Sequence, residues 1–196
     1  MNLHRTIVGS CLTVLVLTSA GCQSVPSRPR PVADLQVETD ALARALRDLG
    51  PTVDQSEAER TAHVIVTTVE AQRLAVAMNG GPRRRNVAIN LGLADWGLCW
   101  QWAEWLGRRL RQENLRTLHL HWACAHAGSL WREHNAVVVA ARGQEFSDGL
   151  VVDPWRHGGR LKWILVADDR YPWKHEPWSE TRWHRKGTTD FCTVVR

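Results

Sequence analysis

Glu133-His134-Asn135-Ala136-Val137-Val138-Val139-Ala140-Ala141 is the stretch that decides the fold. Its small and β-branched residues make it the strongest strand in the chain. Downstream, Arg142-Gly143-Gln144 and Ser147-Asp148-Gly149 mark a turn region, and the chain returns as Leu150-Val151-Val152-Asp153. Pro154-Trp155 then ends the ladder, because proline has no N–H to donate. Upstream, Leu118, Leu120, Trp122 and Cys124 alternate with Thr117, His119 and His121, the two-residue repeat of another strand. Leu161 to Val166 fits the same sheet, whereas Ala167 to Arg196 has no period and is expected to wrap over it.

Before these strands the period is helical. Asp34 to Leu49 spaces Leu35, Val37, Leu42, Leu46 and Leu49 as a helix does, with Gly50-Pro51 as its stop. Ser56-Glu57-Ala58-Glu59 has capping-box spacing, and apolar positions continue to Met78 before Asn79-Gly80-Gly81-Pro82. The β-branched run from Val64 to Val69 could be extended, but the length and both caps favour helix. Arg83-Arg84-Arg85 reads as a solvated loop and Asn86 to Leu93 as an extended approach to a further helix. Helices first and an antiparallel meander afterwards predict an α+β domain over residues 34–196.

The first 33 residues read differently. Residues 1–21 have Arg5, a short apolar run from Thr6 to Leu17, and Ser19-Ala20-Gly21 before Cys22, the pattern of a secretory signal. This ending resembles a bacterial lipobox, with Ser19 standing where leucine is usual. The resemblance implies lipidation of Cys22, a membrane anchor in the cell envelope and, with Gln23 next, the periplasmic face of the outer membrane. Residues 22–33 are proline-rich and polar, a tether rather than core. About 160 residues remain, enough for one domain with one core.

Removal of residues 1–21 takes away only Arg5 among the formal charges, leaving 24 basic and 20 acidic residues. That mild excess, without a binding motif, argues against nucleic acid as a partner. Three of the five cysteines fall in the domain, Cys99, Cys124 and Cys192. In an oxidising compartment two of three tend to bridge, and Cys124 with Cys192 is the expected pair. Cys99 is then the odd thiol. It opens the helical stretch Asp95-Trp96-Gly97-Leu98-Cys99-Trp100-Gln101-Trp102-Ala103-Glu104-Trp105-Leu106, with Asp95 as the expected N-cap. A thiol at a helix N-terminus ionises more easily, since unpaired N–H groups stabilise negative charge there. The helix is expected to end near Arg111 to Asn114, where arginines complement its dipole.

A base is available. A hairpin centred between Gly143 and Gln144 with no bulge pairs positions summing to 287, which sets His134 directly opposite Asp153, whereas a turn at Ser147-Asp148-Gly149 would shift the centre. The carboxylate would fix the imidazole tautomer, and Cys99 would approach the other ring nitrogen. The order Cys, His, Asp, with Gly97-x-Cys99 opening a helix, His134 starting a strand and Asp153-Pro154 closing the next, resembles the transglutaminase-like superfamily of papain-type cysteine enzymes. The resemblance covers about Trp96 to Trp155. It implies Cys99 as nucleophile, His134 as base and Asp153 as its orienter, acting on an amide of a peptide or protein, such as a cell-wall peptide.

The oxyanion donors would be the Cys99 N–H and a tryptophan indole, Trp96 by proximity, with Trp100 and Trp102 equally suited to the core. Papain-type peptidases carry a glutamine several residues before the nucleophile, and Leu93 stands there instead. Two other function classes compete: a non-catalytic envelope lipoprotein that keeps the fold as a binding or structural module, and a metal-binding protein. For the latter, His119-Leu120-His121 places two imidazoles on one strand face, Cys124-Ala125-His126 lies on the other, and no third ligand is evident. No cofactor or metal is therefore expected.

Overall fold

The computed structural model describes residues 28–78, 81–129 and 132–178. The expectations placed on residues 1–21, Cys22 and Cys192 lie outside these. The described chain is α+β: four helices and one five-stranded antiparallel sheet.

Helices α1 (Val32–Arg47) and α2 (Gln55–Ala75) pack against each other through Leu42, Leu46, Ile65, Val66 and Val69, all essentially inaccessible to solvent. The β-branched run in α2 is helical. Helical spacing puts Ile65, Val66 and Val69 on one buried stripe, and that burial overrides the modest χ1 cost of branching. Asp54, not Ser56, caps α2, its Oδ1 accepting the Glu57 N–H at 2.8 Å. The end of the proline-rich stretch is docked: Arg30 pairs with Glu38 and Glu70, and Arg73 donates to the Arg28 carbonyl.

The segment expected to be loop and strand is instead a helix, α3 (Pro82–Asn90), with Pro82 in its first turn. Arg85 does not face solvent alone. Its guanidinium donates to the Trp96 carbonyl at 2.7 Å and the Val76 carbonyl at 3.0 Å, tying the end of α2 to the turn that precedes α4 (Cys99–Arg111).

The sheet contains β1 (Leu118–Ala125), β2 (His134–Ala141), β3 (Leu150–Asp153), β4 (Lys162–Leu165) and β5 (Trp173–Glu176), in the order β4-β3-β2-β1-β5. Strand β5 was not legible as a strand. It carries the chain from the β4 edge to the β1 edge, so the sheet is not a plain meander. Leu118, Leu120, Trp122, Val137, Val139, Leu150 and Val152 face α2 and α4 and form the main core with Trp102, Leu106 and Leu110. The opposite face holds a smaller cluster of Ala123, Ala136, Val138, Val151 and Trp173. No described helix is long and apolar enough to cross a membrane.

Candidate active site

Helix α4 delivers Cys99. The N-cap is Leu98 rather than Asp95, which is exposed. Leucine offers no acceptor, so no side chain caps the first-turn N–H groups. Gln101 instead reaches back, its Oε1 accepting the N–H groups of Gly97 at 2.8 Å and Leu98 at 2.9 Å. The turn is fixed by Gly97, whose φ of +127° is open to glycine, and whose missing Cβ would stand 2.8 Å from Arg85 Cγ. The result is a free thiol at an uncapped helix N-terminus with its own backbone N–H unclaimed by a cap.

The hairpin register differs from the expected one. Val137 pairs with Val152 and Val139 with Leu150, so opposed positions sum to 289 rather than 287. A 3-10 turn at Phe146–Asp148 shifts the centre of the connection by one residue, which leaves His134 diagonal to Asp153 instead of opposite. A slip of two in the sum keeps both on the same face. Their side chains still meet: His134 Nε2 lies 2.6 Å from Asp153 Oδ2.

Asp153 is saturated. Its Oδ1 accepts the N–H groups of Trp155 at 3.0 Å and Arg156 at 3.1 Å, and its Oδ2 accepts Arg156 Nε at 2.9 Å besides the histidine. Burial opposes its charge, but His134 and Arg156 together hold the carboxyl below the ordinary carboxylate range. Burial likewise opposes protonation of His134, yet Asp153 and, after it, the Cys99 sulfur push the imidazole up to about 9. The ring lies among Trp155, Tyr171 and Trp173, at centroid distances of 4.7, 5.0 and 5.3 Å, and such faces favour a cation. Nδ1 is buried without a hydrogen-bond partner among the described residues, which leaves it for the thiol.

The structure thus brings together Cys99, His134 and Asp153. Trp96 packs edge-on against Trp102 at 4.7 Å and Trp105 at 6.4 Å, a packing role on the inner side of α4. Cys124 is buried in β1.

Two site residues were not anticipated. Asn135 accepts the Trp122 indole N–H on Oδ1 at 2.9 Å, which turns its amide nitrogen toward Cys99 Sγ at 3.9 Å. Arg156 links Asp153 to Asp169, donating to the latter at 3.0 and 2.7 Å. The signal for Asn135 was present: an amide inside an apolar strand must find partners. Arg156 is visible only once the turn after Asp153 is built.

Comparisons with protein-family models, curated proteins and solved structures give no match. The site therefore has to be interpreted from its own chemistry.

Proposed function

We propose that this chain is a transglutaminase-like cysteine enzyme that cleaves or transfers an amide-linked acyl group through a thioester at Cys99. The observation that carries the reading is the 2.6 Å His134–Asp153 hydrogen bond beside an uncapped helix N-terminus bearing a free thiol. In this reading the Cys99 proton already rests on His134 Nδ1 as a thiolate–imidazolium pair, and the sulfur attacks the amide carbonyl carbon. The oxyanion forms against the Cys99 N–H, with the Asn135 amide as the second donor in place of a tryptophan indole. His134 then returns the proton to the departing nitrogen as the C–N bond breaks, leaving the thioester. Water or a second amine attacks that thioester, and the thiol is restored. The signal-like leader and Cys22 support placing the activity in the bacterial cell envelope, lipid-anchored to the outer membrane, with peptide crosslinks or protein side-chain amides as substrate class.

One observation favours the non-catalytic reading: His134 and Asp153 are each only 1% exposed and Cys99 9%, so substrate needs the covering residues to part. Iodoacetamide labelling at pH 6, mapped by mass spectrometry, separates the two. An activated Cys99 labels far faster than a model thiol, and His134→Asn removes the excess. Labelling no faster than a model thiol overturns the enzyme.

A further inference from the structure

On the sheet face away from the helices, β1 presents His119 and His121, and β5 adds a third imidazole that the sequence alone did not bring near. His175 pairs in register with Ala123, which puts it diagonal to His121 on the same face. His121 Nδ1 and His175 Nε2 are 3.4 Å apart. The rings of His119 and His121 have centroids 4.7 Å apart. Phe146 stacks on His175 at 5.6 Å and meets His121 edge-on at 5.8 Å, so both rings are held in place.

The nitrogen separation is informative. It is longer than the usual hydrogen bond from an N–H donor, about 2.9–3.0 Å. It does match the edge of a tetrahedron whose metal–nitrogen bonds are about 2.0–2.1 Å, an edge of roughly 3.3–3.4 Å. Among the described residues no three His, Cys, Asp or Glu side chains already converge as a metal site. Two of these three imidazoles nonetheless have the spacing, and the third, His119, is an exposed side chain next to them. Turning it inward costs a surface rotamer and its edge-on contact with His121, and no core packing. His119 and His175 are both exposed, so a water or an external ligand can fill the fourth position from solvent.

We propose that His119, His121 and His175 form a site for a zinc-class divalent transition metal on this open sheet face. Imidazole is a ligand of choice for such ions, while the absence of a carboxylate in the trio disfavours calcium and magnesium. His121 pairs with Val138, four residues along β2 from His134, so the site lies about 13 Å from that residue along the strand. It is chemically separate from Cys99.

The test is isothermal titration of zinc chloride into the untagged full chain, with circular dichroism as the check on folding of each variant. One zinc per chain is expected. His121→Ala and His175→Ala should each weaken it by more than about tenfold, with His119→Ala also weakening it. His175 is exposed, so its substitution leaves the core intact. Cys99→Ser should bind as the parent does, which keeps this result independent of the acyl-transfer reading. Absence of stoichiometric zinc, unchanged affinity in a folded His175→Ala, or loss of binding in Cys99→Ser would each overturn the proposal.

Discussion

His134 and Asp153 are joined at 2.6 Å although they sit diagonally, not face to face, in the β2–β3 ladder. Diagonal positions are about 7–8 Å apart at the backbone, a gap these two side chains span together. What makes the geometry definite is the rest of the carboxylate's bonding: two backbone N–H groups hold Oδ1 from the far side, and Arg156 Nε shares Oδ2 with the ring.

This pair should give stability a distinctive pH dependence. The folded His134 value, about 9, lies above the ordinary 6.5, so its contribution is complete below pH 6.5 and is lost as pH rises through about 9. Asp153 is shifted the other way, so its contribution is complete above pH 3.8 and is lost as pH falls through its lowered value. Urea unfolding at pH 6, 8 and 10 should reveal a decline on the order of 2–3 kcal/mol that His134→Asn lacks. Equal slopes for parent and variant would contradict the charged assignment.

Asn135 connects the core to Cys99, and its two ends can be tested apart. Asn135→Leu leaves the buried Trp122 N–H unpaired and should cost about 1–3 kcal/mol in urea unfolding. Asn135→Asp keeps an acceptor for Trp122 but puts a negative charge in place of the donor beside Cys99 Sγ. It should slow iodoacetamide labelling at pH 6 by more than about tenfold, as expected where an electrostatic donor at a nucleophile is lost. Parent-like labelling of Asn135→Asp would remove Asn135 from the site.

The α+β class was legible because long-period and two-residue patterns occupy separate halves of the chain, and α2, α4, β1, β2 and β3 announce themselves through them. Cys99, His134 and Asp153 were legible because each begins or ends an element, where sequence signals are sharpest. What escaped depends on non-local geometry. Strand β5 is a short run, Trp173-Lys174-His175-Glu176, that gains its conformation by pairing with β1. Helix α3 has no buried residue, so it leaves no apolar stripe to detect. The hairpin register turned on the local 3-10 turn at Phe146–Asp148, whose backbone path no periodicity encodes.

The Gly97 turn aims α4 and its Cys99, and the close approach of Arg85 separates its demands from ordinary backbone strain. Gly143 also has positive φ, +89°, but nothing within 4 Å of its missing Cβ. Gly143→Ala therefore adds only conformational strain, about 1–3 kcal/mol. Gly97→Ala adds that and a clash with Arg85, whose bonds to Trp96 and Val76 carbonyls must then shift. Gly97→Ala should be the less stable of the two in thermal unfolding, and it alone should change Cys99 labelling.

Glu57 fastens the other end of the scaffold and gives a contrast in which stability and the thiol part company. Its carboxylate, 3% exposed, accepts the N–H groups of Arg116, Thr117 and Leu118 at 2.9, 2.9 and 2.8 Å and the Thr117 hydroxyl at 3.0 Å. Burial alone would raise its pKa, but these donors outweigh burial and hold it below the ordinary value. The stability it contributes is present above pH 4.5 and is lost as pH falls through the lowered value. Glu57→Gln keeps the volume, removes the charge and turns an amide N–H toward backbone donors, so it should cost about 1–3 kcal/mol at pH 7. Acid unfolding should also become less steep between pH 5 and pH 3, because the titrating group has gone. Glu57 joins the first turn of α2 to the start of β1, far along that strand from the Ala125–His134 pair. Labelling of Cys99 should therefore match the parent at temperatures where the variant stays folded, and a change in it would mean that this anchor also sets the geometry around Cys99.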